Sequence, residues 1–203
     1  MFLTTGILLG LSGGLTTGPL LTLVISETLR HGAGAGIRVS LAPLVTDLPI
    51  VAAAVIILAK LSNVQPLLGL IALGGAAFLV YLGIESLRFQ GVDIGADPIQ
   101  PQSLKKGIIA NFLNPNPYLF WFSIGAPTVI KAVRVDTLSA IFFVAGFYLL
   151  LVGSKLVVAV LVGKSRRLLN SKHYIYAVRG LGFVLLAFAG VFLFDGLEYW
   201  GIL

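Results

Sequence analysis

Residues 107–130 read GIIANFLNPNPYLFWFSIGAPTVI, and this stretch decides what kind of protein the chain is. It carries no charge, and at about 1.5 Å per residue it is long enough to cross a ~30 Å hydrocarbon core as a helix. Yet it sets Asn111, Asn114 and Asn116, with Pro115 and Pro117, among Phe, Leu, Ile and Trp. Amides in an apolar helix cost several kcal/mol unless partnered, and proline removes an intrahelical hydrogen bond. Packing accounts for one such Asn more readily than for three. The expectation is a membrane helix interrupted at NPNP, with Asn111, Asn114, Pro115 and Asn116 facing a polar solute.

The rest of the chain has the same character. Of its 203 residues 58% are hydrophobic and 11% charged, with a mean hydropathy of +1.01; a soluble domain of that size cannot hide so much apolar surface. Uninterrupted apolarity predicts six spanning helices, over 2–26, 39–59, 66–87, 107–130, 138–163 and 176–197. No basic residue precedes the first, so it is expected to be a span and not a leader. The fold class is therefore an all-α integral membrane protein forming a single transmembrane domain, embedded in the lipid bilayer.

Lys and Arg are unequally shared between the two sides. Arg30, Arg38, Arg88, Lys105, Lys106, Lys164, Arg166, Arg167, Lys172 and Arg179 flank the first, third and fifth connections, against Lys60, Lys131 and Arg134 on the opposite side. The positive-inside rule then makes those connections cytoplasmic and puts both termini outside a plasma or inner membrane, with Tyr199 and Trp200 at the outer interface. The formal charge of +6 is a topology signal and not a nucleic-acid footprint.

FQGVDIGADPIQPQSLKK, residues 89–106, reads as a linker between repeat one, 1–88, and repeat two, 107–203. Three spans on either side form two inverted three-helix repeats, because an odd number of crossings reverses the entry of the second half. TDLPIVAA at 46–53 echoes SKLVVAVL at 154–161. A proline-broken stretch recurs in the first span, GGLTTGPLL at 13–21, and in the fourth. Paired interruptions of this kind point to a transporter site near the midplane.

In the first span Pro19 predicts a kink, exposing carbonyls, Gly18 and the hydroxyls of Thr16 and Thr17 to a solute. The competing reading is close helix packing through Gly6-x-x-x-Gly10 and Gly14-x-x-x-Gly18. Asp47 and Lys155 are the ionisable side chains well inside the spans, each on the order of 12 Å from the cytoplasmic edge. A charge there costs at least ~2.5 kcal/mol, so each must face a partner, the bundle interior or water. Their equivalence in the echo suggests that they approach each other, either as a registry ion pair or as coupling groups. Glu27, Glu85 and Asp195 lie near span ends and are expected to be solvated or paired with neighbours such as Arg30 and Arg88.

The chain has no cysteine, which excludes thiol redox chemistry and thiolate metal sites. It also lacks an HExxH pattern and a phosphate-binding G-x-x-x-x-G-K-[ST] loop. No catalytic, cofactor or metal constellation is legible. A membrane-embedded enzyme and a non-transporting scaffold subunit remain the rival classes; the first lacks a visible nucleophile–base pair, and the second has no need of buried charges and intramembrane amides.

TTGPLLTLV at 16–24, HGAGAGIR at 31–38 as a glycine-rich first loop, an Asp in the second span, YLGIESLR at 81–88 and KKGIIANFLNPNPYLFWF at 105–122 together resemble the lysine exporter (LysE-type) family. The resemblance runs over nearly the whole chain and implies export of an amino acid or related metabolite, driven by the proton gradient. The family's usual Pro-Gly-Pro is Thr17-Gly18-Pro19 here, and the Lys that often follows its Asn-Pro is Asn116. Both departures lie in the expected site, so no named amino acid is carried over. The reading is a secondary transporter exporting a small polar solute, with Asp47 as proton carrier. Six spans are few to enclose a pathway, which makes a homodimer an expectation.

Overall fold

The computed structural model describes residues 1–16, 18–60, 65–88, 102–165 and 172–202. Thr17, residues 89–101 of the expected linker, and Arg166 and Arg167 lie outside the described residues. The described residues form ten α-helices and one π-helical turn, with no strand. In chain order the helices are α1 Phe2–Leu15, α2 Pro19–His31, α3 Ala33–Ser40, α4 Ala42–Lys60, α5 Gln65–Leu87, α6 Ser103–Phe112, α7 Pro115–Phe120, α8 Ala126–Val135, α9 Thr137–Ser165 and α10 Lys172–Tyr199. The π-turn, Trp121–Gly125, joins α7 to α8.

Four helical stretches are long and apolar enough to cross a membrane: Ala33–Ala53, Gln65–Leu87, Thr137–Ser165 and Ile175–Tyr199. The pair α1 and α2, bent by 59°, makes a fifth if it is one span. Large apolar side chains face outward all round, among them Leu8, Leu48, Leu70, Leu149 and Phe183, each more than 60% exposed. An exterior of that kind belongs against lipid.

Two expectations are corrected. The glycine-rich stretch after His31 is not a loop. Only Gly32 turns, at φ 93°, a left-handed conformation that glycine adopts without strain; from Ala33 the chain is helical. Gly36 allows this, because a Cβ there would collide with the Thr28 side chain of α2 and press on Ala159 of α9. The helix leading into NPNP also starts at Ser103, inside the expected linker, because Ser103 and Lys106 are tied to acidic groups on α2 and α5.

Helices α1 and α9 form one close pair and α5 and α10 the other. Gly6, Gly10 and Gly14, one turn apart, press against α9: a Cβ on each would sit on the Phe143 carbonyl, the Phe147 carbonyl and the Ser154 hydroxyl respectively. Gly18, by contrast, has open space around it. The packing reading therefore holds for Gly6, Gly10 and Gly14 and fails for Gly18. Gly10→Ala is expected to cost about 1–3 kcal/mol in detergent unfolding, through overpacking against backbone that cannot yield. Gly153→Ala on α9, where a Cβ meets nothing within 4 Å, should be neutral or gain up to about 1 kcal/mol of helix propensity.

At the α9 entry Asp136 accepts hydrogen bonds from the Ser139 N–H at 2.6 Å and hydroxyl at 2.9 Å, which hold its carboxyl below the usual carboxylate range.

Candidate functional site

Both proline-containing segments break, for legible reasons. After α1 the chain passes through Gly18 in an extended conformation, and Pro19 opens α2 at its first position, where a missing N–H costs nothing. After α6 it passes through Asn114, also extended, and Pro115 opens α7 in the same way. The irregularity continues into the π-turn, where Gly125 leaves room for the Trp121 ring; a Cβ at 125 would strike it.

Each break frees carbonyls, and side chains take them up. The Tyr118 hydroxyl donates to the Phe112 carbonyl at 2.9 Å. The ammonium of Lys155, on α9, donates to the carbonyls of Gly13 at 3.2 Å and Gly14 at 3.1 Å. A buried cation at the C-terminal end of α1 also meets the negative end of that helix's dipole. Lys155 is 3% exposed.

Asp47, on α4 and likewise 3% exposed, is held at the other break. Asn111 donates one amide hydrogen to Asp47 Oδ1 at 2.9 Å and the other to Thr46 Oγ1 at 2.6 Å. The Tyr148 hydroxyl donates to Asp47 Oδ2 at 3.2 Å. The Trp121 indole N–H is buried beside the Asp47 carboxylate, towards which it can donate, but is not in close hydrogen-bonding geometry with it or any other group among the described residues.

The two buried charges thus have separate settings. No contact ion pair joins Asp47 to Lys155; the ion pairs within 4 Å include Glu27–Arg30, Arg30–Glu85, Lys106–Glu27 and Lys106–Glu85. The two charges instead share a cavity of about 460 Å³, with Thr16, Gly18, Pro19, Asn111, Asn114 and Asn116 in its wall. Of the residues singled out from sequence, Pro115 is buried behind this wall and Thr17 is not described. The Thr16 hydroxyl turns back onto the Ser12 carbonyl at 2.6 Å.

The three amides of the NPNP region have different work. Asn111 clamps Asp47. Asn114 caps α7, its side-chain oxygen accepting from the Asn116 N–H at 3.0 Å. Asn116 is exposed, lines the cavity, and makes no side-chain hydrogen bond to the described residues.

A second charged cluster includes the expected pairing of Glu27 and Glu85 with Arg30, at 3.8 and 2.8 Å, and adds Ser103 and Lys106 of α6, which the sequence reading did not join to it. Glu27 is fully buried, not solvated. It accepts from the Ser103 hydroxyl at 2.5 Å and from Lys106 Nζ at 3.2 Å. Lys106 also donates to both oxygens of Glu85, at 2.7 and 3.0 Å, and Arg30 reaches Glu85 at 2.8 Å. The network ties α2 and α5 to α6. On α2 the cavity wall ends at Leu21, and Leu23, Val24, Ser26, Glu27 and Thr28 beyond it are buried. The sequence pointed to Glu27, Glu85 and Arg30 as charges near span ends that solvation or pairing would satisfy; the burial of Glu27 and the part played by Lys106 depend on which helices meet.

A family model described as LysE type translocator matches residues 11–196. The chain belongs to that family. The match spans both breaks, both buried charges and the Glu27 cluster, so the likeness seen in the sequence motifs is confirmed. None of the curated proteins and none of the solved structures compared with the chain matches it. A LysE type translocator is a multi-pass membrane exporter of amino acids or metabolites, and the outward apolar surface and the spanning helices agree with that. Among the described residues no group of three or more His, Cys, Asp or Glu is placed to hold a metal.

Proposed function

We propose that this LysE type translocator is a proton-coupled secondary exporter of a small polar solute, most simply an amino acid, which binds in the cavity between the two helix breaks. The observation that carries the reading is the pair of buried opposite charges that line one cavity without pairing to each other. Such charges are costly, and a solute that engages them recovers part of that cost. Asp47 takes up a proton or the solute's cation, not both, so protonation from one side releases solute there.

We read the chain as six spans in two inverted repeats, 1–88 and 107–203, with α6, α7, the π-turn and α8 forming the fourth crossing. Supporting this, Asp47 of the second span docks on the break of the fourth, and Lys155 of the fifth docks on the break of the first. The arrangement is what a pseudo-two-fold axis through the cavity produces. Export then requires α2, α5 and α6 to part at the Glu27 network, on the side that the basic residues make cytoplasmic, while rocking of the halves closes the other. Two copies per assembly are part of the proposal, to be read from cross-linking in membranes.

Counterflow of labelled amino acids into proteoliposomes, with and without a pH gradient, tests the function; no gradient-dependent flux from folded protein would refute it. Asn116→Ala is expected to lower flux about tenfold with an unchanged melting temperature, because it removes an unpaired amide from the wall. Asn114→Ala should instead cost about 1 kcal/mol of stability through the lost cap. Equal behaviour of the two would reduce NPNP to packing. For orientation, a single cysteine at position 200 is expected to label from outside. Labelling from the cytoplasm alone would invert the topology.

A further inference from the structure

Resting on the export reading, the charge inventory of the cavity narrows the solute. We infer that it is a zwitterion with an uncharged, apolar side chain, its ammonium group on Asp47 and its carboxylate on Lys155. Among the described residues lining the cavity these are the ionisable ones. Each keeps capacity for a ligand. Lys155 has three N–H donors, and two go to the Gly13 and Gly14 carbonyls. Among the described residues Asp47 Oδ2 accepts one hydrogen bond in close geometry, from the Tyr148 hydroxyl, while a carboxylate oxygen accepts two.

The remaining wall is mostly apolar, with Leu9, Phe120, Phe147 and Leu151 prominent. A basic side chain entering beside the α-amino group finds no second carboxylate, and an acidic one finds no second cation. Either is stripped of water without compensation. An apolar side chain instead gains contact with the aromatic and aliphatic wall. The volume of about 460 Å³ lies at the small end of the range for small-molecule sites, roughly 300–1,000 Å³, which suits a single amino acid.

The test is competition against labelled leucine in counterflow by the full-length protein in proteoliposomes. Competitors are unlabelled leucine, phenylalanine, lysine, glutamate, isoamylamine (leucine without its carboxylate) and 4-methyl-2-oxopentanoate (the oxo acid without an amine). Leucine and phenylalanine are expected to compete at least about tenfold better than the other four, each of which leaves a buried charge unmatched. Ligand-induced thermal shifts on Lys155→Met supply a readout that does not need transport: isoamylamine should rise to match leucine. Lysine competing as well as leucine, or isoamylamine matching leucine on the unaltered protein, overturns the inference and leaves the export reading intact. Loss of all amino-acid flux from folded protein refutes the export reading and this inference with it.

Discussion

Lys106→Met is expected to be the most damaging single charge removal in the protein, costing about 3 kcal/mol or more in detergent unfolding. Glu27 is fully buried, and its strongest compensating cation is Lys106 at 3.2 Å, with Arg30 farther away at 3.8 Å. Removing the ammonium leaves a carboxylate in low dielectric with the Ser103 hydroxyl as its close partner. For a chain of about 200 residues that cost corresponds to a melting-temperature loss on the order of 10 °C, by analogy with soluble domains. Glu27→Gln combined with Lys106→Met should restore much of it, because no buried charge is stranded. If each single mutant and the double mutant melt within about 1 kcal/mol of the parent, the network is a solvated surface cluster after all.

Asp47→Asn is expected to abolish pH-gradient-driven efflux, by roughly ten- to a hundredfold or more, while leaving gradient-independent exchange measurable. The amide keeps the shape: its oxygen can still accept from Asn111, and its NH2 can donate to the Tyr148 hydroxyl, which turns to accept, so the fold should persist, but it neither titrates nor carries charge. The same double-mutant logic separates this site from the Glu27 network. Asp47 and Lys155 are each solvated by their own helix break and make no contact ion pair, so stability changes in Asp47→Asn, Lys155→Met and the double mutant should add to within about 1 kcal/mol. Glu27 and Lys106 should show strong coupling. Thermal unfolding and pH-driven flux on all of these variants would decide it. A stable Asp47→Asn, Lys155→Met protein with full proton-driven flux would sink the coupling role. Recovery of stability only in the double mutant would make the two a registry pair.

By itself the sequence determined the environment of the chain, the family, and where its helices cannot be regular. Long uncharged apolar tracts dictate a membrane helix because lipid leaves backbone polar groups no other partner. Pro19 and Pro115 point to breaks because a proline inside a helix loses a hydrogen bond, though Pro49 is accommodated within α4. The ends of α5, α9 and α10 fall within a few residues of the apolar boundaries for the same reasons. Asp47 and Lys155 stood out because an intramembrane charge is expensive wherever it points.

Only the tertiary structure decided partners. Local pattern does not say that Lys155 would choose the α1 carbonyls over Asp47, that Asn111, Asn114 and Asn116 would divide into a clamp, a cap and a free amide, or that the GAGAG stretch would be helical. Each depends on which helices approach closely enough, and that is set by glycines such as Gly10 and Gly36 pressed against residues more than a hundred positions away on α9. The Glu27–Lys106 network is the clearest case. Read along the chain its members are charges at helix ends, which usually face water. Burial turns them into a tie between α2, α5 and α6, because a desolvated carboxylate has no acceptable alternative to a cation.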